Sequence, residues 1–456
     1  MREKKPRRRF SAVRRYLTPT QIIAIVFLGI ILLGAGLLSL PAASRDGSSC
    51  GFLPALFTAT SATCVTGLVL FDTYTQWSGF GQTVILCLIE IGGLGFMSAA
   101  SVLIFLFRRK VGLRQRMVMA QALSLNDIAG AVRLQKWVLL GSLLIQAVGA
   151  LILFFRFLPE YGFRTAAAWG GFHAVSAFCN AGFDILGVIA PGQSLLPFND
   201  DPVVCITLMA LVTVGGLGFF VWEEIATVRN YRKFSVYTRL VLITSGVLIL
   251  LGAGVFLWLE WNNPGTLGEM PFGQKLLNAF FQSVTLRTAG FAAIDQGQLT
   301  EASKGFSILL MLIGGSSGST AGGIKTVTFL VLLLFIGSRL RGKETVDVFK
   351  RNIPAEKVMD AATIVAVLTG LSLLGAIVIS GSGVSFTDAL FETASALGTV
   401  GITAGITPSL NLLSQLMIIL FMYFGRVGIL TISLSFLMAD QAAQRFRYAQ
   451  TNILIG

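Results

Sequence analysis

The chain has 456 residues, of which 54% are hydrophobic and only 12% charged, with a mean hydropathy of +0.77. Soluble domains carry about 25% charged residues, so this composition excludes an ordinary soluble domain and predicts an integral protein of the lipid bilayer. A formal charge of +13 would suggest a nucleic-acid partner, but the basic residues sit in alternate loops and the acids in the others, which excludes that reading.

Residues 1–15 hold eight Lys/Arg against the single acid Glu3 and lead into the apolar run 22–40 without a signal-peptide cleavage pattern. That predicts a cytoplasmic start and a retained span. Spans of roughly 20 apolar residues follow at 84–107, 137–157, 203–227, 240–259, 306–336, 359–380 and 412–437. Basic clusters mark the inner loops: Arg108-Arg109-Lys110 with Arg114 and Arg116; Arg229 with Arg232-Lys233 and Arg239; the stretch 339–357; and Arg445 with Arg447. Acids such as Asp72, Asp184, Asp201, Glu260, Asp295 and Asp388 mark the outer ones. The inside-positive bias then gives a multi-pass protein of the plasma (inner) membrane, with eight spans and both termini cytoplasmic.

Between each outgoing and returning span lies a shorter apolar segment, at 53–63, 166–178, 275–285 and 386–397. Segments of that length cover about half of the hydrocarbon core, as a re-entrant helix does. After them stand Thr63-Cys64-Val65-Thr66-Gly67, Phe178-Cys179-Asn180-Ala181-Gly182, Leu286-Arg287-Thr288-Ala289-Gly290 and Gly398-Thr399-Val400-Gly401. Their last glycines are 115, 108 and 111 residues apart, and the residues before them echo one another (Phe57-Thr58-Ala59-Thr60-Ser61-Ala62 against Phe391-Glu392-Thr393-Ala394-Ser395-Ala396). One helix–loop–helix unit is therefore repeated four times. Repeats are expected at 19–110, 111–233, 234–343 and 344–438, with basic cytoplasmic tails at 1–18 and 439–456.

Backbone lies unpaired at membrane depth only where it lines a polar cavity or is buried in protein. Four such loops on one axis solve that problem together. Their carbonyls replace water around a dehydrated cation, while the short helices aim their negative C-terminal dipoles at it. The expected fold is all-α and K⁺-channel-like, with four covalently linked M1–pore loop–M2 repeats around one pseudo-fourfold pore. The filter would be Val65, Thr66, Gly67, Asn180, Ala181, Gly182, Thr288, Ala289, Gly290, Thr399, Val400 and Gly401, holding the ion by backbone carbonyls.

On these motifs the chain resembles, over nearly its whole length, the membrane subunit of the Ktr/Trk/HKT superfamily of K⁺ transporters, most closely the bacterial KtrB branch. The resemblance puts the essential filter glycines at Gly67, Gly182, Gly290 and Gly401. It implies K⁺ uptake, often Na⁺-stimulated, by a homodimer with one pore per subunit. It also implies control by a separate cytosolic KtrA-like ring of RCK subunits that bind ATP or ADP, with no cofactor in this chain. Only the fourth loop reads Thr-Val-Gly, so a Na⁺ or less selective monovalent cation transporter is the alternative within the superfamily.

A second glycine set lies 25, 33, 24 and 24 residues past the filter glycines, at Gly92-Gly93-Leu94-Gly95, Gly215-Gly216-Leu217-Gly218, Gly314-Gly315 and Gly425-Arg426-Val427-Gly428. The third copy continues as Gly314-Gly315-Ser316-Ser317-Gly318-Ser319-Thr320-Ala321-Gly322-Gly323-Ile324-Lys325. That composition weakens a helix and predicts a break in the span there. The resemblance makes this segment an intramembrane gate, with Arg426 as a cation barrier below the filter working with Lys325. Part of it nearly fits a nucleotide P-loop, but Ile324 separates glycine from lysine and no strand precedes it.

Glu90 is the acid within a span interior, expected either to pair with one of these cations or to support the filter. Arg287 is expected to brace its loop against a carboxylate such as Glu392. His173, the only histidine, reads as a packing residue. The five cysteines (Cys50, Cys64, Cys87, Cys179, Cys205) contain no CxxC pair, hence no predicted zinc site or disulfide framework. A proton-coupled solute carrier would need more intramembrane acids than Glu90. An intramembrane enzyme would need a nucleophile with a base, so the chain is read as no enzyme.

Overall fold

The computed structural model describes residues 19–95 and 131–428. Helix α1 (Pro19–Leu38) opens on proline, whose missing N–H costs nothing in a first turn. It is apolar all round: Ala24, Ile31, Ala35 and Leu38 are buried while Leu28, Leu32 and Leu33 stay exposed. An apolar helix with one uncovered apolar face is suited to lipid. Against it packs the short α2 (Phe52–Thr63), which also contacts α3 (Gly79–Leu94).

The same sequence of parts recurs. Helix α4 (Ala131–Phe178) is interrupted at Gly162, where φ of 73° separates an outer portion from a short inner one ending at Phe178. Next come α5 (Pro202–Leu217) and α6 (Phe219–Val228), which are bent 93° to each other. Then follow α7 (Val236–Glu260), the short α8 (Phe272–Thr285), α9 (Glu301–Leu312) and α10 (Thr326–Leu340). A small antiparallel hairpin, β1 (Val346–Val348) with β2 (Arg351–Ile353), precedes α11 (Ala355–Ser380), the short α12 (Phe386–Gly398) and α13 (Leu412–Val427). The C-terminal halves of the four short helices are buried, including Thr58–Thr63 and Phe391–Gly398. The core sits where they converge.

Among the described residues, four helices are long and apolar enough to cross a membrane: 21–38, 136–178, Val236–Glu260 and Ala355–Ser380. Three returning segments differ from the spans expected at 84–107, 203–227 and 412–437, while a break is expected in the segment at 306–336. Helix α3 stops at Gly95, α5 at Gly218 and α13 at Gly428, with φ of 82°, 94° and 92°. The segment at 306–336 is open from Ile313 to Lys325. A single glycine in the left-handed region ends the helical ladder and leaves the last carbonyls without helical partners. The parts of the spans expected at 84–107 and 412–437 beyond residues 95 and 428, and both tails, lie outside the described residues.

Candidate functional site

Each short helix ends in a loop of the same build. The predicted filter glycine and the residue two before it have positive φ: Val65 (56°) and Gly67 (100°), Asn180 (61°) and Gly182 (69°), Thr288 (70°) and Gly290 (88°), Thr399 (52°) and Gly401 (91°). In a strand successive carbonyls point to opposite sides. Alternating the hand of the residues brings them to one side. The turn is closed alike in three, where the N–H groups of Thr66, Ala181 and Val400 donate to the carbonyls of Ser61, Ser176 and Ser395 at 2.8 Å; in the third loop a tighter bond runs from Ala289 N–H to Thr285 O at 2.9 Å. Hydroxyls of the same residues finish it. Those of Ser61 and Ser395 accept from Gly67 N–H (3.0 Å) and Gly401 N–H (3.1 Å), and those of Ser176 and Thr285 donate to Phe183 O (2.7 Å) and Phe291 O (2.6 Å).

The four loops close a ring. A Cβ on Gly67 would lie 2.5 Å from Ala181 O, on Gly182 2.6 Å from Gly290 Cα, on Gly290 2.7 Å from Val400 O, and on Gly401 1.9 Å from Thr66 O. Each glycine thus abuts another of the four loops, and all twelve predicted filter residues are buried. The hydroxyls of Thr66 and Thr399 are buried there without a hydrogen-bond partner. Asn180 breaks the symmetry: its amide donates to Thr288 Oγ1 (3.4 Å) and its carbonyl accepts from Thr320 (3.1 Å).

The second glycine set has a packing reason. A Cβ on Gly92, Gly215 or Gly425 would lie 2.0, 2.0 or 2.3 Å from the carbonyl of Thr63, Phe178 or Leu397, the residue four before each ring glycine. These glycines let the returning helices seat directly under the short helices.

The segment 313–325 lies against the ring. A Cβ on Gly322 would meet Thr399 Oγ1 at 2.1 Å. Its ends are zipped by Gly314 N–H to Ile324 O (2.9 Å) and Ile324 N–H to Leu312 O (3.0 Å). Its middle rests on the second repeat, where Ser316 N–H donates to Gly216 O (3.0 Å), Thr320 N–H to Gly215 O (3.3 Å), and Phe219 N–H to Gly318 O (2.8 Å). Those contacts use the bend between α5 and α6, so the break at Gly218 and the open segment fit one another. Lys325 donates to Ala321 O (2.7 Å) within the segment.

Arg426 reaches the same place. Its guanidinium donates to Thr320 O of the segment and to Gly92 O and Gly93 O, the last at 3.0 Å. The latter are carbonyls freed where α3 ends, and a helix C-terminus favours a cation. The pairing expected between Glu90 and a cation is therefore corrected. Glu90 accepts from Gln146 Nε2 (3.0 Å) and from Cys179 Sγ (3.3 Å). Through Cys179 it touches the second loop. Arg287 does not meet Glu392 either; it donates to Ser245 Oγ (3.2 Å) and Thr326 Oγ1 (3.4 Å), tying the third loop to α7 and to the start of α10.

Glu392 instead accepts from the hydroxyls of Thr403 and Thr407 (the latter at 2.9 Å) beyond the fourth loop. Gln282 and Gln296 exchange bonds of 2.6 and 3.0 Å beyond the third. His173 donates from Nδ1 to Trp169 O (2.7 Å) and accepts from Ile185 N–H (3.4 Å) beyond the second. A buried polar side chain on each of these short helices thus holds the segment leaving the ring. The sequence signal was a polar residue eight or nine positions before the ring glycine. Between α9 and α12, Lys304 pairs with Asp388 at 2.8 Å.

The family profile described as TrkH, cation transport protein, matches residues 11–446. The potassium/sodium uptake protein NtpJ of Enterococcus hirae is 40% identical over 452 residues, covering 97% of this chain and 98% of its own. The Ktr system potassium uptake protein B of Bacillus subtilis is 39% identical over 440 residues, covering 96% and 97%. The crystal structure of the potassium transporter TrkH from Vibrio parahaemolyticus shares the fold, with a TM-score of 0.71 at 17% identity over 94% of this chain and 86% of that one. The chain is a membrane transporter, not an enzyme, and belongs to the TrkH family of cation transport proteins.

Proposed function

We propose that the chain carries K⁺ inward across the plasma membrane through the ring formed at Gly67, Gly182, Gly290 and Gly401. The carrying observation is the ring itself: four loops with the same alternating φ pattern converge, and segment 313–325 lies against them. Their carbonyls replace the water of a dehydrated ion, and the unpartnered hydroxyls of Thr66 and Thr399 add two acceptors. The segment with Arg426 is the gate, one layer to the inner side. The named substrates of NtpJ and KtrB support K⁺, and the name of the first supports a Na⁺ contribution, as activator or co-substrate. The non-identical loops favour the same second reading. The Ktr system naming of the Bacillus subtilis relative supports a second component working with the membrane subunit; the family resemblance makes that component a cytosolic nucleotide-binding RCK ring and the membrane subunit a homodimer. The basic clusters support eight spans with cytoplasmic termini.

Uptake of rubidium by cells lacking their own K⁺ uptake tests this. The wild-type chain restores uptake that excess K⁺ competes and excess Na⁺ does not, and Gly290→Ser loses it. Equal competition by Na⁺ would favour the second reading, and no uptake at all would overturn both.

The outer mouth adds a pH dependence. Asp184 stands two residues beyond Gly182, and burial pushes its carboxyl up to about 6, with the neighbouring charge of Asp72 adding to the rise and the Leu186 N–H opposing it. The group is charged above that pH and neutral below it. Cation uptake therefore falls as external pH is lowered through about 6, where half the carboxylates are protonated, and Asp184→Asn flattens the profile. An unchanged profile in the variant would remove Asp184 from the ion path.

A further inference from the structure

Beside the segment, on the side away from α5, lies a cavity of about 410 Å³. Its wall is apolar, with Leu240 of α7, Val331 of α10 and Ile364 of α11, while Arg351 of the hairpin and Lys357 of α11 stand in its lining. Ser317 of the segment also lines it. Asp360 is the acid in the lining, 3.5 Å from Lys357 Nζ, which leaves Arg351 without a carboxylate in the cavity. The surrounding stretch 339–357 holds six basic residues against Glu344, Asp347 and Glu356.

We propose that this cavity binds an anionic phospholipid of the inner leaflet, acyl chain inward and headgroup on Arg351 and Lys357, and that its occupancy restrains the gate. A volume of this size is that of a ligand pocket. Basic pockets between helices on the cytoplasmic side suit anionic headgroups. An apolar lining requires an occupant with a chain, which excludes a free phosphate or nucleotide, and the bilayer supplies such a molecule at this depth.

The coupling is built in. The Tyr237 hydroxyl donates to Ser317 O at 2.9 Å, and both residues line the cavity. On its other side the segment is bonded to the carbonyls of Gly215 and Gly216 and to Phe219 N–H. To leave the ring, the segment must move into free space, because close-packed interiors do not yield. The cavity supplies that space, so a lipid chain within it holds the segment in place. This step rests on the reading of 313–325 as the gate; the binding itself does not.

The full-length protein, reconstituted in phosphatidylcholine vesicles with or without one quarter phosphatidylglycerol, tests both parts. A phosphatidylglycerol carrying a photoreactive group in its acyl chain should label peptides containing Val331 or Ile364, and unlabelled phosphatidylglycerol should compete. Arg351→Gln with Lys357→Gln should lower labelling at least about tenfold, since each basic residue near an anionic surface contributes about fivefold. The same double variant should raise rubidium uptake in the phosphatidylglycerol vesicles. Ile364→Trp, which fills the cavity, should abolish labelling and lower uptake in both vesicles. Equal labelling by a phosphatidylcholine probe, or crosslinking of the lining to a second copy of this chain, would overturn the site. Labelling as expected with uptake insensitive to phosphatidylglycerol would overturn the restraint. Labelling is read without transport, and Gly290→Ser in the same vesicles reports on the ring, so failure of the transport reading shows separately.

Discussion

Replacing Gly401 with serine lowers K⁺ uptake at least about tenfold and erodes its preference over Na⁺. Two independent effects act at this position. Its φ of 91° lies where an L-residue costs about 1–3 kcal/mol, and 1.4 kcal/mol is about tenfold in an equilibrium. In addition, the new Cβ would meet Thr66 O at 1.9 Å and Gly67 Cα at 2.8 Å. Both are backbone atoms of the adjoining loop and cannot swing away as a side-chain tip would. The first and fourth loops must separate, and the carbonyls then fit a dehydrated K⁺ less closely. Gly246→Ser is the control, since nothing lies within 4 Å of a Cβ at that helical position. Uptake of rubidium with Na⁺ as competitor measures both quantities, with size-exclusion chromatography of the purified variant as the folding check. A folded Gly401→Ser protein with unchanged uptake and selectivity would remove the ring from the ion path.

The ring was legible in the sequence because three signals coincide there: a period near 110, a repeated flanking pattern, and apolar segments too short to cross. The opening in the third repeat was legible as well, since so many glycines and serines in one apolar run undermine a helix. The stops at Gly95, Gly218 and Gly428 were not. One glycine in an apolar run is compatible with a continuous helix, and its torsion is decided by what packs beside it. At Gly218 that partner is the segment itself, from more than ninety residues later in the chain. The partners of the buried charges were hidden for a related reason. Opposite charge is visible in a sequence, so a cation is one of the two partners expected for Glu90, and Glu392 is the carboxylate expected for Arg287. Carbonyls released by a helix end are present at every residue and become available only when the helix stops. The stop at Gly95 frees Gly92 O and Gly93 O for Arg426, and Glu90 is left to Gln146 and Cys179.

That exchange of partners gives the second expected result its sign. Arg426→Ala raises K⁺ uptake. In the native chain the guanidinium bridges Thr320 O of the segment to Gly92 O and Gly93 O of α3, so one side chain fastens the proposed gate to a helix end. A hydrogen bond from a charged donor contributes about 1.5–3 kcal/mol. Only the bond to Thr320 need break when the segment moves. Its loss shifts the closed-to-open balance roughly 10- to 100-fold, up to the limit of full opening. On the proposed ion path a positive charge disappears at the same time, which acts in the same direction. The fold should survive, because the segment keeps its backbone bonds to Gly215, Gly216 and Phe219. Arg426→Lys keeps the charge but has a single ammonium for the three carbonyls, so it belongs between the wild type and alanine. Rubidium uptake by the three proteins in vesicles, scaled to the amount of folded protein, gives the order alanine above lysine above wild type. A folded alanine variant with uptake equal to or below wild type would mean that Arg426 does not fasten the gate.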